Sequence, residues 1–295
     1  MFKGCFVAMA TPFREGKIDE EALRRLIDFL IDSGVDGLVP CGTTGESPTL
    51  SFEEHKWVIR TTLEHNRGRV SVIAGTGSNS TQEAIELTEY ARDAGASGAL
   101  VITPYYNKPT QQGLEAHFQA IDKIGLPIVI YNVPSRTGVS IAAATVARLS
   151  QLDHICGIKE ASGDMDHVSA LVEQCGPKFS VLSGNDSHTL PILALGGTGV
   201  ISVIANILPE PMTNMVRAFL SGDAGRAREL HQELFPLCRA MFLETNPIPV
   251  KTAMARLGMI SAEWRLPLTP MTQTHEQTLE QEMKAYGLLL RPEDS

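Results

Sequence analysis

With 295 residues, 43% hydrophobic side chains and a mean hydropathy near zero, the chain can bury one large core, or one large core plus a small appendage, as expected of a soluble globular protein. A formal net charge of -9 and the absence of any Lys/Arg-rich run argue against nucleic acid or an anionic membrane as the main partner and favour small molecules. Five scattered cysteines, never in a C-x-x-C pair, predict thiols that serve as small core residues in a reducing cytoplasm.

The first predicted element is a strand over 4–10. Its apolar stretch is too short for a membrane span and Thr11-Pro12 follows directly, so it reads as a strand and not as a signal peptide. From there one theme repeats: a short apolar, β-branched run, a Gly/Pro/Ser-rich turn, then a helical stretch. The further runs are 37–41, 70–75, 98–103, 127–132, 155–159, 179–183 and 199–205, which makes eight. Between them lie amphipathic segments such as 19–33, 51–66, 80–94 and 111–124, with Ser51 and Glu54 spaced as a capping box.

Eight alternating units predict a parallel sheet with right-handed crossovers that closes into a (β/α)8 TIM barrel. An open dinucleotide-binding sheet would carry a G-x-G-x-x-G turn after the first strand, and Thr-Pro-Phe-Arg-Glu-Gly follows Ala10 instead. After the eighth run the alternation stops, and helices are predicted over 211–220, 224–243, 249–257 and 274–289. The expected organisation is a catalytic barrel over 1–223 and a small helical appendage over 224–295.

Reactive groups in such a barrel sit at the C-terminal ends of the strands. After the second run comes Gly42-Thr-Thr-Gly-Glu46, a turn whose backbone N–H groups can hold a carboxylate or phosphate; taken alone it is equally a plain tight turn. Tyr105 and Tyr106 follow the fourth run, and Tyr131 with Arg136 the fifth. Lys159 ends the sixth run. An ammonium is costly to strip of water, so such a lysine either snorkels to the surface or a carboxylate, or works as an amine nucleophile. Convergence of these groups on one mouth favours imine chemistry: a neutral lysine attacks a ketone, and a phenol or hydroxyl ferries the protons. The eight histidines are spread out, with His117, His167 and His231 in predicted helices where solvated roles are expected, so no metal site is predicted.

Together with Gly157-Ile-Lys159-Glu, Gly197-Thr-Gly-Val-Ile201-Ser and Asn246-Pro-Ile-Pro-Val-Lys251, these motifs resemble the pyruvate-dependent class I aldolase family across essentially the whole chain. The resemblance implies a cytoplasmic enzyme of the diaminopimelate route to lysine. It would condense pyruvate with aspartate 4-semialdehyde through a covalent imine at Lys159, with no other cofactor. Tyr131 would donate and accept protons beside the imine, and Thr43 would link it to Tyr106, contributed across a subunit interface of a homotetramer built as a dimer of dimers. Thr44 would hold the pyruvate carboxylate, the carbonyl of Ile201 would line the pocket, and Arg136 would bind the carboxylate of the semialdehyde. Some members are inhibited by lysine at a dimer-interface cleft, whose counterparts here are Ser47, Pro48, Phe52, His55, Asn79, Glu83 and Tyr105. Phe52 stands where lysine-sensitive members carry histidine, so the expected inhibition is weak or absent. Two rival readings are a sugar-acid aldolase of the family, such as N-acetylneuraminate lyase or a keto-deoxy sugar acid aldolase, and a non-catalytic metabolite-sensing barrel. Arg136 weighs against the first, and the presence of Lys159, Tyr131 and Thr43 together weighs against the second.

Overall fold

The computed structural model describes residues 1–289. In chain order its strands are β1 (Gly4–Ala8), β2 (Phe13–Arg14), β3 (Lys17–Ile18), β4 (Gly37–Val39), β5 (Ser71–Gly75), β6 (Gly98–Ile102), β7 (Ile128–Asn132), β8 (Ile155–Glu160), β9 (Ser180–Ser183) and β10 (Gly199–Ser202). All but β2 and β3 close into a barrel in the order β1-β10-β9-β8-β7-β6-β5-β4, with parallel pairing throughout. This is the (β/α)8 barrel that the alternation predicts.

The strands leave the sheet where the backbone obliges them to. Pro40 has no N–H to donate and Cys41 takes φ 56°, so the run over 37–41 ends at Val39. The run over 199–205 turns after Ser202 into a short 3₁₀ helix, Ile204–Asn206. β2 and β3 form an antiparallel hairpin absent from the sequence reading; its two-residue turn puts Glu15 and Gly16 at φ 53° and 74°.

A helix follows each barrel strand, and side chains legible in the sequence fix several of the starts. Asp19 accepts from the Ala22 amide, Ser51 and Glu54 form the expected reciprocal box, and Asp164 accepts from the amides of Asp166 and His167. Further helices run over Ala224–Ala240, Ile248–Arg256 and Gln273–Ala285. The last stops before the expected end at 289, because Gly287 takes φ 94° and leads the chain out. The expected appendage, 224–295, includes residues 290–295, which lie outside the described residues. Among the described residues no helix is long and apolar enough to cross a membrane.

The core has two layers because side chains alternate along each strand. Ile128 and Ile130 of β7 pack outward against the helices, while Val129 and Tyr131 join Phe6, Val39, Ile73, Leu182 and Ile201 inside the barrel. Ile158 of β8 likewise faces the helices, so its neighbour Lys159 points inward. The register then sets Lys159 directly beside Tyr131, and Glu160 beside Asn132 on the outer face.

Candidate active site

Lys159 is 4% exposed, and its Nζ lies 4.4 Å from the centroid of the Tyr131 ring. The lysine therefore does not snorkel to solvent. Glycine makes its room: a Cβ on Gly184 would fall 3.2 Å from Lys159 Cε and 2.6 Å from the Ala161 side chain. Asp186 is wholly buried nearby. Burial pushes its carboxyl up, while a hydrogen bond from Ser202, the amides of Ile204 and Val203 and the charge of Lys159 pull it back.

The turn after β4 carries Thr43 and Thr44. It lies close against β5, and a Cβ on Gly75 would fall 2.2 Å from the Cys41 carbonyl oxygen. Within the turn, the Gly45 and Glu46 amides donate to the carbonyls of Gly42 and Thr43, at 3.1 Å each. The amides of Gly42, Thr43 and Thr44 are not among the turn's internal donors, so the backbone donors expected there narrow to those three. Two further contacts pin the turn: Thr11 Oγ1 donates to the Gly45 carbonyl at 2.7 Å, and Lys251 Nζ donates to Glu46 Oε1 at 2.5 Å with both side chains fully buried. Lys251 also stands 4.3 Å from the Phe13 ring centroid, and burial draws its ammonium below the ordinary lysine value while the Glu46 charge opposes that.

Thr44 is buried, and its hydroxyl accepts a hydrogen bond from Asn246 Nδ2 at 3.0 Å. Arg136, on the short helix Pro134–Thr137, donates through Nη2 to the Asn246 carbonyl at 3.0 Å. Ile201 is fully buried in the inner layer with Tyr131. A cavity of about 350 Å³ brings Thr43, Tyr131 and Arg136 together with Ser47, Pro48, Phe52, His55, Glu83 and Tyr105.

Other expected residues stand apart. Tyr106 is 89% exposed at φ 71° and takes no part in the cavity wall, so a single chain does not assemble the set Thr43, Tyr131 and Tyr106. Asn79 is likewise off the wall, its carbonyl accepting from Asn107 Nδ2 at 2.9 Å. His55 reaches the wall but is buried: its Nε2 lies 2.7 Å from the Gly75 carbonyl oxygen, and burial keeps the ring below its ordinary pKa. Glu83 Oε2 accepts from Ser78 Oγ at 2.7 Å.

Solvated helix positions do not hold for two of the histidines. His117 is buried, with Nδ1 2.9 Å from Thr81 Oγ1, and burial lowers its pKa to about 4. His167 faces inward from its helix to Glu160, 3.3 Å away, which raises the imidazole pKa. The same Glu160 accepts from Asn132 Nδ2 and from the Ser162 amide, a polar network behind the Lys159–Tyr131 pair. Asn246, Glu46 and Lys251 are the neighbours of the site that residue chemistry alone did not single out. Asn246 and Lys251 are far from the turn in sequence, and the signal for them was the Asn246-Pro-Ile-Pro-Val-Lys251 motif.

The chain is 55% identical over 290 residues to the 4-hydroxy-tetrahydrodipicolinate synthase of Nitratidesulfovibrio vulgaris (strain DP4), covering 98% of this chain and 99% of that one. It is equally similar, at 55%, to the synthase of that name from Syntrophus aciditrophicus (strain SB), covering 98% and 100%. Among solved structures it superposes on dihydrodipicolinate synthase from Aquifex aeolicus with a TM-score of 0.97 and 51% identity, over 99% of this chain and 100% of that one. The model of the dihydrodipicolinate synthetase family matches residues 1–286, and the chain belongs to that family.

Proposed function

We propose that this chain condenses pyruvate with L-aspartate 4-semialdehyde to 4-hydroxy-tetrahydrodipicolinate, the committed chemistry of a class I aldolase-type synthase. The observation that carries the reading is the buried Lys159 in register with Tyr131, which in turn lines one cavity with Thr43 and Arg136. Its relatives at 55% identity bear the synthase name.

In this reading the Lys159 amine adds to C2 of pyruvate and the carbinolamine loses water, leaving an iminium between Nζ and C2. The iminium draws electrons from C3, which loses a proton to give an enamine. The enamine carbon then attacks the aldehyde of the second substrate, forming a C–C bond while the aldehyde oxygen takes up a proton. The amine of the semialdehyde portion adds to the iminium carbon C2 and expels Lys159 Nζ, which closes the ring as a cyclic imine and frees the lysine. Tyr131 moves these protons, since its ring lies against the lysine and its hydroxyl can both donate and accept. Thr43 continues the proton path toward Tyr106, supplied by a second copy of the chain. Thr44 and the free amides of its turn hold the pyruvate carboxylate, the Ile201 carbonyl borders the imine, and the planar fork of Arg136 receives the carboxylate of the semialdehyde. The lysine supplies the electron sink, so no further cofactor enters, and a cytoplasmic homotetramer is the expected form.

A steady-state assay decides between this reading and a sugar-acid aldolase. Purified protein given pyruvate and L-aspartate 4-semialdehyde is expected to consume both in equal amounts, whereas N-acetylmannosamine with pyruvate should give no condensation product. Turnover with the sugar and none with the semialdehyde would reverse the assignment.

A further inference from the structure

Asn246 lies in the connection before the helix Ile248–Arg256, far from the barrel strands in sequence, yet it touches both strand-end loops assigned here to substrate carboxylates. It is 5% exposed. Its side chain makes one hydrogen bond to protein among the described residues, from Nδ2 to Thr44 Oγ1 at 3.0 Å, and its Oδ1 has no protein donor. Its main-chain carbonyl accepts from Arg136 Nη2 at 3.0 Å. Five residues on, Lys251 locks Glu46 of the same turn, which fixes the connection against the loop that carries Thr44.

The direction of the first bond matters. An amide nitrogen can only donate, and a threonine hydroxyl has one proton and two lone pairs. With a lone pair of Thr44 taken by Asn246, the hydroxyl proton stays available for an anion. The second bond holds the guanidinium through the backbone, so it does not depend on the identity of residue 246.

We propose that Asn246 is a positioning residue for both substrates: its amide orients the Thr44 hydroxyl as a donor to the pyruvate carboxylate, and its carbonyl sets the reach of Arg136 toward the second carboxylate. The proposal rests on the function assigned above. It separates into a side-chain effect on pyruvate alone and a backbone effect that substitution leaves in place.

The test measures KM for each substrate in Asn246→Ala, Asn246→Asp, Thr44→Val and the double variant Asn246→Ala/Thr44→Val. Asn246→Ala is expected to raise the pyruvate KM about tenfold, the scale of one lost hydrogen bond to a charged group, with the semialdehyde KM within about twofold of wild type. Asn246→Asp keeps the shape and a hydrogen bond but reverses its direction and adds a negative charge, so it should impair pyruvate binding more than Asn246→Ala. A merely structural residue would be rescued by that conservative change. In the double variant Asn246→Ala should add nothing to the effect of Thr44→Val. Wild-type pyruvate KM in Asn246→Asp, or additive effects in the double variant, would overturn the proposal. Trapping the imine with borohydride separates the two possible failures. A wild-type adduct on Lys159 together with unshifted variants removes only the positioning role, while no wild-type adduct removes the functional reading beneath it.

Discussion

At the scale of single residues, the account turns on what surrounds Lys159. A lysine at the end of an apolar strand was visible in the sequence, but its fate was not, because snorkelling and burial follow from neighbours that come from other strands. The structure decides it: Tyr131 beside it in register, and Gly184 leaving the space its stem occupies. Tyr131→Phe keeps the ring and removes the hydroxyl. It should still form the pyruvate adduct while turnover falls by roughly a hundred- to ten-thousand-fold, the range of a general acid-base group, as read by stopped-flow or steady-state rates. Wild-type turnover in that variant would place the proton transfers elsewhere. The histidines teach the opposite lesson. His117 and His167 sit on helices whose amphipathic pattern suggested solvent, yet both turn toward partners on neighbouring elements, Thr81 and the buried Glu160, a matter of helix rotation that residue spacing does not fix to one position.

At the scale of elements, the strands and their following helices were legible because the periodicity changes between them and because capping residues such as Ser51 mark the starts. The anchoring of the turn over 41–47 was not, since apart from Thr11 it depends on Asn246, Lys251 and the Arg265 amide, each more than two hundred positions from its partner in the turn. Arg265 also reaches past the turn: its guanidinium donates to both carboxylate oxygens of Glu54, at 2.7 and 2.6 Å, and so ties the helix Phe52–Asn66 to the connection after Ile248–Arg256. The Arg265 guanidinium holds the Glu54 carboxyl at about 2, below the ordinary value of 4.5. A depressed carboxyl stabilises the fold above its unfolded pKa and loses that contribution as pH falls through the folded one. Wild type should therefore exceed Glu54→Gln in melting temperature above pH 4.5, and the gap should close as pH falls toward 2. A gap that is constant across that window would mean the pair contributes packing and no charge interaction. The same helix bears on regulation. Phe52 presents an apolar ring, and the Nε2 of His55 is occupied by the Gly75 carbonyl, which leaves this wall of the cavity poor in groups for an amino acid effector. Calorimetric titration with lysine is expected to give little or no heat of binding at millimolar ligand; tight binding would overturn that expectation.

At the scale of the whole molecule, closure of eight parallel strands into a barrel is what the sequence pattern foretold most completely, and the cavity there gathers Thr43, Tyr131 and Arg136 from separate parts of the chain. The exception is Tyr106, which is turned to solvent at 89% exposure and does not join Tyr131 within one chain. Only a second copy can complete the proposed proton path, so activity should fall on dilution together with the oligomer population followed by analytical ultracentrifugation. Full specific activity in a purely monomeric sample would remove Tyr106 from the mechanism. The central claim, that Lys159 forms an imine with pyruvate, is tested most directly by incubating the protein with pyruvate, reducing with borohydride and mapping the adduct by peptide mass spectrometry. The account predicts one reduced pyruvate adduct, on Lys159, which is absent when L-aspartate 4-semialdehyde in excess has first discharged the enzyme. No adduct, or an adduct on another lysine, would contradict it.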